Sequence, residues 1–167
     1  DNAFSHHYLE QAEELWAAAV GADHCRFLVG GSSQGNIAAL STVTHPGQPV
    51  AVDRTSHRST HAALVITGAR PVWVYPDLDP EFRLPIGIPA GDLERLTEPV
   101  TALFVTSPSY VGSLCDVPSL AAAAHARGIP LVVDQAWGAH LGFLPGRGAI
   151  ALGADVSVTS VHKALMG

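Results

Sequence analysis

The sequence predicts an α/β protein with three layers, α/β/α, built around a mostly parallel sheet. Two patterns carry this. Short apolar, β-branched runs take turns along the chain with stretches of helical spacing, and the runs are continuously apolar rather than alternating, as strands buried on both faces are. Composition agrees: 47% of the 167 residues are hydrophobic and 14% charged. That length suits one domain with a core of its own.

In chain order, "FSHHYLEQAEELWAAAVGA" places Leu9, Ala12, Leu15, Trp16 and Ala19 on one helical stripe, with Ser5 as a cap and Gly21 as the stop. The runs "RFLVGG", "PVAVD", "RPVWVY", "TALFVTSP", "IPLVVD" and "DVSVTS" then read as six buried strands. Helices are expected between most of them, over Ser33–Val43, Ser56–Ile66, Gly91–Leu96 and Val117–Ala126. "YPDLDPEFRLPIGIPAGD", rich in proline and polar residues, reads as the one long loop.

The formal net charge of −6 and the scattered basic residues argue against nucleic acid or a membrane as partner. Cys25 and Cys115 lack CxxC spacing, which fits buried thiols in a reducing compartment, so a cytoplasmic protein is expected. No apolar run approaches about 18 residues, and the first residues do not read as a secretory signal. The sequence begins without methionine and stops just past a motif, so a piece of a longer polypeptide is expected.

In a parallel sheet, ligands gather at the carboxyl ends of the strands. The residues there are informative. "GGSSQGN" after the first strand offers glycines, the hydroxyls of Ser32 and Ser33 and a helix N-terminus. It is either a phosphate cradle or an ordinary capped turn, and it matches neither the P-loop nor GxGxxG. "DRTSHRSTH" places His57 and His61 on one helix face. The HExxH glutamate and a third ligand are missing, so no metal is expected; His57 is either a stacking imidazole or a half-buried residue at a helix start. Asp134 ends the fifth strand as a cap, an ion-pair partner or a catalytic group. Lys163, after the sixth strand, is either a solvated lysine or a reactive amine. Together, an amine, a carboxylate, a flat ring and a phosphate cradle on one rim are the set that pyridoxal phosphate requires.

The motifs "GGSSQGN", "DRTSHRS", "SPSYVGSLCDV", "VVDQAWGAH" and "TSVHKALMG", in this order and at these intervals, resemble the fold-type-I pyridoxal-phosphate enzymes. Within them, the chain resembles the major domain of the ornithine/lysine/arginine decarboxylase group, over nearly its whole length. The resemblance implies a pyridoxal-phosphate-transferase-like large domain over residues 1–167, with further segments on either side. It implies that Lys163 forms the Schiff base with pyridoxal 5′-phosphate, Asp134 pairs with the ring nitrogen, and His57 and Ala136 lie against the two ring faces. Ser32, Ser33, Ser160 and His162 are implied around the phosphate, with Gln34 among the cofactor-binding residues and Tyr110 and Trp137 near the pocket. Gln135 stands where many members have an acidic residue and Trp137 where many have histidine, although tryptophan also occurs there.

The reaction implied is decarboxylation of a basic amino acid to an amine and carbon dioxide, in a homodimer or higher homo-oligomer. Transamination or aldol cleavage would use the same residues, and a non-catalytic fragment of the fold is the third reading. The family's sheet has a last, antiparallel strand between the first strand and the one leading into Lys163. The sequence ends before it, so two unpaired edges, an exposed apolar surface and a tendency to aggregate are expected.

Overall fold

The computed structural model describes residues 7–166. Helix α1 (Tyr8–Val20) leads through an irregular segment to α2 (Gly31–Val43). There follow β1 (Pro49–Asp53), α3 (Arg58–Thr67), β2 (Arg70–Val74), the short β3 (Asp77–Leu78) and β4 (Pro85–Gly87), and α4 (Ala90–Glu94). Strand β5 (Leu103–Thr106), α5 (Val117–Ala126), β6 (Leu131–Gln135), a 3-10 turn at Ala139–Phe143, β7 (Val156–Thr159) and α6 (Val161–Ala164) complete the chain.

Five strands form one sheet in the order β2-β1-β5-β6-β7, and every pairing is parallel. Successive strand residues point to opposite faces, and both faces are covered, which is why the strands read as unbroken apolar runs. Val50, Val52, Phe104 and Val132 pack beneath α2 and α3 with Leu40, Ala63 and Leu64. Ala51, Leu103, Val105, Leu131 and Val133 pack on the other face with Leu93 of α4 and Leu120 and Ala124 of α5. The three predicted layers are present. Helix α5 starts where its sequence says it should, with Asp116 accepting from Ser119 N at 3.3 Å and Pro118 in the first turn.

Three expectations are corrected. "RFLVGG" is not a strand: residues 26–28 pair with no ladder, and a turn follows at Val29 and Gly30, with Val29 fully exposed. The resemblance placed an antiparallel strand between this segment and β7. Among the described residues none stands there, so β7 is a sheet edge and the segment has nothing to pair with. The α1 stripe is rotated: Leu15 and Ala19 are exposed, while Glu13 and Ala17 are buried. Glu13 turns inward because its carboxylate accepts from Phe27 N and Arg26 Nη1, both at 2.9 Å. Ser5, expected as the cap, lies outside the described residues. The long loop, finally, contains a small antiparallel hairpin, β3 with β4. No helix of the described residues is long and apolar enough to cross a membrane.

Candidate active site

Helix α2 leads by a short turn into the amino end of β1, so it runs antiparallel to the strands and its first turn stands at their carboxyl rim. It lies close on the sheet at Gly35, where a Cβ would stand 2.6 Å from Val158 Cγ1 of β7. That approach brings the next residue, Asn36, to the end of β6.

Asp134 sits near the end of β6, opposite Thr106 of β5 and Val158 of β7. It is buried, at 2% exposure. Its Oδ2 accepts from Asn36 Nδ2 at 2.7 Å and its Oδ1 from Ala136 N at 3.0 Å. Burial pushes this carboxyl above the usual carboxylate range, and the hydrogen bonds from Asn36 and Ala136 and the charges of His57 and Lys163 only partly offset it. None of the ion pairs among the described residues involves Asp134. The site thus holds a buried carboxylate without a bonded cation.

His57 is the N-cap of α3, which begins at Arg58 rather than at Ser56. Its Nδ1 accepts from Ser59 N at 3.2 Å and lies 2.8 Å from Ser59 Oγ. With Nδ1 accepting from the backbone, the proton of the neutral ring belongs on Nε2. His61, four residues on, instead packs its ring against Trp73, with centroids 5.4 Å apart. Among the described residues no group of three or more His, Cys, Asp or Glu is placed to hold a metal ion.

Lys163 lies in the short α6 that follows β7, and its Nζ stands 4.7 Å from the centre of the Trp137 ring, within cation–π reach. Trp137 follows β6 and is half exposed. The turn behind it is tight: a Cβ on Gly138 would stand 2.6 Å from Pro108 Cδ. Beside it a cavity of about 390 Å³ is lined by Tyr110, Trp137, His140 and Leu141 among others.

Of the predicted site residues, Asp134, Ala136, His57, Lys163 and Trp137 come together at the ends of β6 and β7. Ser32 and Ser33 lie in the first turn of α2, which no side chain caps. Gln34 turns its Oε1 onto Gly30 N at 2.8 Å and so braces its own turn. Ser160 is buried, with its Oγ 3.2 Å from Nδ1 of His162, whose ring is exposed. Tyr110 lines the same cavity as Trp137.

A family model described as "Orn/Lys/Arg decarboxylase, major domain" matches residues 4–167. The chain belongs to this family. Its members are pyridoxal-phosphate-dependent carboxy-lyases. Among curated proteins the chain is similar to an arginine decarboxylase of Bacillus subtilis, 38% identical over 93% of this chain and 33% of that protein. An arginine decarboxylase of Bacillus cereus is 35% identical over 93% of this chain and 35% of its own length. The chain therefore spans about a third of the length of these relatives. Among solved structures, lysine decarboxylase A from Pseudomonas aeruginosa superposes with a TM-score of 0.76 at 26% identity, over 92% of this chain and 24% of that one. The SepCysS–SepCysE N-terminal domain complex, at 20% identity and a TM-score of 0.78 over 93% of this chain and 42% of that one, shares the fold.

Two residues of the decarboxylase-family site carry bonds that the motif reading did not assign. Asn36, fully buried, donates from Nδ2 to Asp134 and also to Ser59 Oγ at 2.9 Å. Ser59 in turn meets His57. Both fall inside quoted motifs, where each is a polar residue on the buried face of its helix.

Proposed function

We propose that the complete protein decarboxylates a basic amino acid, arginine foremost, using pyridoxal 5′-phosphate held at the carboxyl rim of the sheet. Asp134 carries this reading. A buried carboxylate bonded to no cation costs free energy, and a protonated ring nitrogen is the cation that this position fits. The donor set suits the rest of the cofactor. Lys163 offers the amine for its aldehyde, the imidazole of His57 and the methyl of Ala136 its two ring faces, and the uncapped first turn of α2 its phosphate, with Ser32, Ser33 and the amide of Gln34. Ser160 and His162 would stand beside that phosphate, next to the lysine.

When bound, the cofactor supplies an electron sink for the pair left on the α-carbon as carbon dioxide departs. The chain's residues make that sink usable. Asp134 would keep the ring nitrogen protonated, and its burial would strengthen the pairing because little water screens it. Lys163, with its amine free, would carry a proton at Nζ and could return one to the α-carbon. Trp137 lies over Lys163 and shields it from bulk water on that side.

The names of the relatives support the substrate class: arginine decarboxylases at 35–38% identity and lysine decarboxylase LdcA of Pseudomonas aeruginosa at 28%. The reading includes residues 1–167 as the cofactor-binding major domain, a homodimer or higher homo-oligomer, and a cytoplasmic site of action. The test is an absorbance scan of the complete protein with pyridoxal phosphate, beside Lys163→Ala. A visible band that borohydride fixes in the former and that is missing in the latter is expected, with amine and carbon dioxide released from arginine. No band would sink the cofactor reading; a keto acid or an aldehyde in place of the amine would sink the decarboxylase.

A further inference from the structure

Asn36 has no exposed surface and stands on the sixth residue of α2. Both hydrogens of its amide are committed, one to Asp134 Oδ2 at 2.7 Å and one to Ser59 Oγ at 2.9 Å. The opposite amide orientation would set Oδ1 against the carboxylate, oxygen to oxygen, so the orientation is fixed by charge. In this orientation Oδ1 is buried with no partner. An unpartnered buried oxygen is destabilising, so what the amide contributes here lies in its two donors.

Their effect extends to the histidine. Ser59 Oγ accepts from Asn36 and therefore turns its own hydrogen toward His57 Nδ1, 2.8 Å away. The polarity is the same at each step from the amide outward: Asn36 donates to Asp134 on one side, and on the other Asn36 donates to Ser59 and Ser59 to His57. A hydroxyl at position 36 has one proton and could serve one arm. A carboxyl there would add a second acid beside Asp134, and leucine would serve neither.

We propose that Asn36 is a positioning residue that joins the carboxylate of Asp134 and the imidazole of His57 into one preset unit, aimed at the ring nitrogen and the ring face of pyridoxal phosphate. The inference rests on the cofactor reading above. It assigns Asn36 no contact with the cofactor; it acts through Asp134 by holding Oδ2, and through Ser59 by holding the ring of His57 with Nδ1 as acceptor. Groups fixed before binding need no reorganisation when the ligand arrives, which is where such a unit adds affinity.

The test compares equilibrium binding of pyridoxal phosphate and of its 1-deaza analogue, in which the ring nitrogen is replaced by carbon. It uses the complete protein and its Asn36→Leu and Ser59→Ala variants. The unaltered protein is expected to favour pyridoxal phosphate by about tenfold or more, the worth of one charge-assisted contact in a buried site. Asn36→Leu should reduce that preference below about threefold, whereas Ser59→Ala, which leaves the Asp134 arm intact, should keep it. If Asn36→Leu weakens both ligands equally and leaves the preference unchanged, Asn36 is merely structural and the proposal is overturned. Should that variant fail to fold, Asn36→Ala, which removes both donors without adding bulk, takes its place in the same comparison. A preference for pyridoxal phosphate kept in Asn36→Ala overturns the proposal. Failure of the underlying reading looks different: the unaltered protein then takes up neither compound, and the inference falls with it.

Discussion

Gly35 sets how closely α2 lies on β7, and replacing it with alanine should destabilise the protein although alanine is the better helix former. The gain in helix propensity is about 0.8–1 kcal/mol. Against it, the new Cβ would stand 2.6 Å from Val158 Cγ1, about 1 Å inside an ordinary carbon contact. Val158 is β-branched, on a strand and 8% exposed, so it cannot swing away. Overpacking of this kind costs about 1–3 kcal/mol, which leaves Gly35→Ala less stable by up to about 2 kcal/mol. Relief by backing the helix off the sheet would stretch the neighbouring 2.7 Å bond from Asn36 to Asp134 beyond hydrogen-bond length, so cofactor uptake should weaken too. In a Val158→Ala background the clashing methyl is gone, and the same substitution should become stabilising by up to about 1 kcal/mol. Urea unfolding of the four proteins in this cycle reads the sign change directly. Additivity within about 0.5 kcal/mol, or a stabilising Gly35→Ala in the unaltered background, would refute the close-packing argument.

Two further predictions follow from the buried charge and from an exposed apolar side chain. Burial holds the Asp134 carboxyl above its ordinary value of 3.8, so in a window above that value the folded, cofactor-free protein binds the proton that the unfolded chain releases. Its stability is therefore greatest below the window and falls as pH rises through it, by about 1.4 kcal/mol for each unit of elevation. The positive groups facing Asp134, His57 from the start of α3 and Lys163 from α6, narrow the window without closing it. Asp134→Asn should gain on the unaltered protein as pH rises, read from urea midpoints across the acid range, and a difference independent of pH would refute this. Val29, fully exposed in the turn before α2, should be replaceable by serine with a stability change within about 0.5 kcal/mol and with less light scattering on concentration. Equal scattering would show that this surface does not drive association.

What could be read in the chain beforehand divides along the range of the interactions involved. Strands β1, β5 and β6 are visible because burial on both faces writes an apolar run into consecutive residues, and the edge strands β2 and β7 because their β-branched residues keep part of that pattern. Asp134 and Lys163 stand out because a charged residue at the carboxyl end of a strand or in the turn beyond it falls on the rim where ligands bind. The run at 26–31 has the same local signature, yet strand identity also needs a partner ladder, and that depends on residues far away in sequence. Glu13 illustrates the same limit, since its burial depends on the segment at Arg26 and Phe27 rather than on the spacing within α1.

The Asn36 network lies at the far end of that scale, because its bond to Asp134 joins residues 98 apart in sequence. A local trace of it exists nonetheless. Asn36, Ala39, Leu40 and Val43 share the i, i+3, i+4, i+7 spacing of one helix face, and Leu40 and Ala39 of that face are core residues. Ser59 stands likewise before Ala63 on the inward face of α3. A single amide or hydroxyl in an otherwise apolar stripe must find a partner inside the protein, because leaving it unpaired is costly. At the carboxyl rim, the partner available is the carboxylate that ends β6. An amide on the core face of α2 is therefore a sequence signal in its own right, and it points to the same site as the lysine.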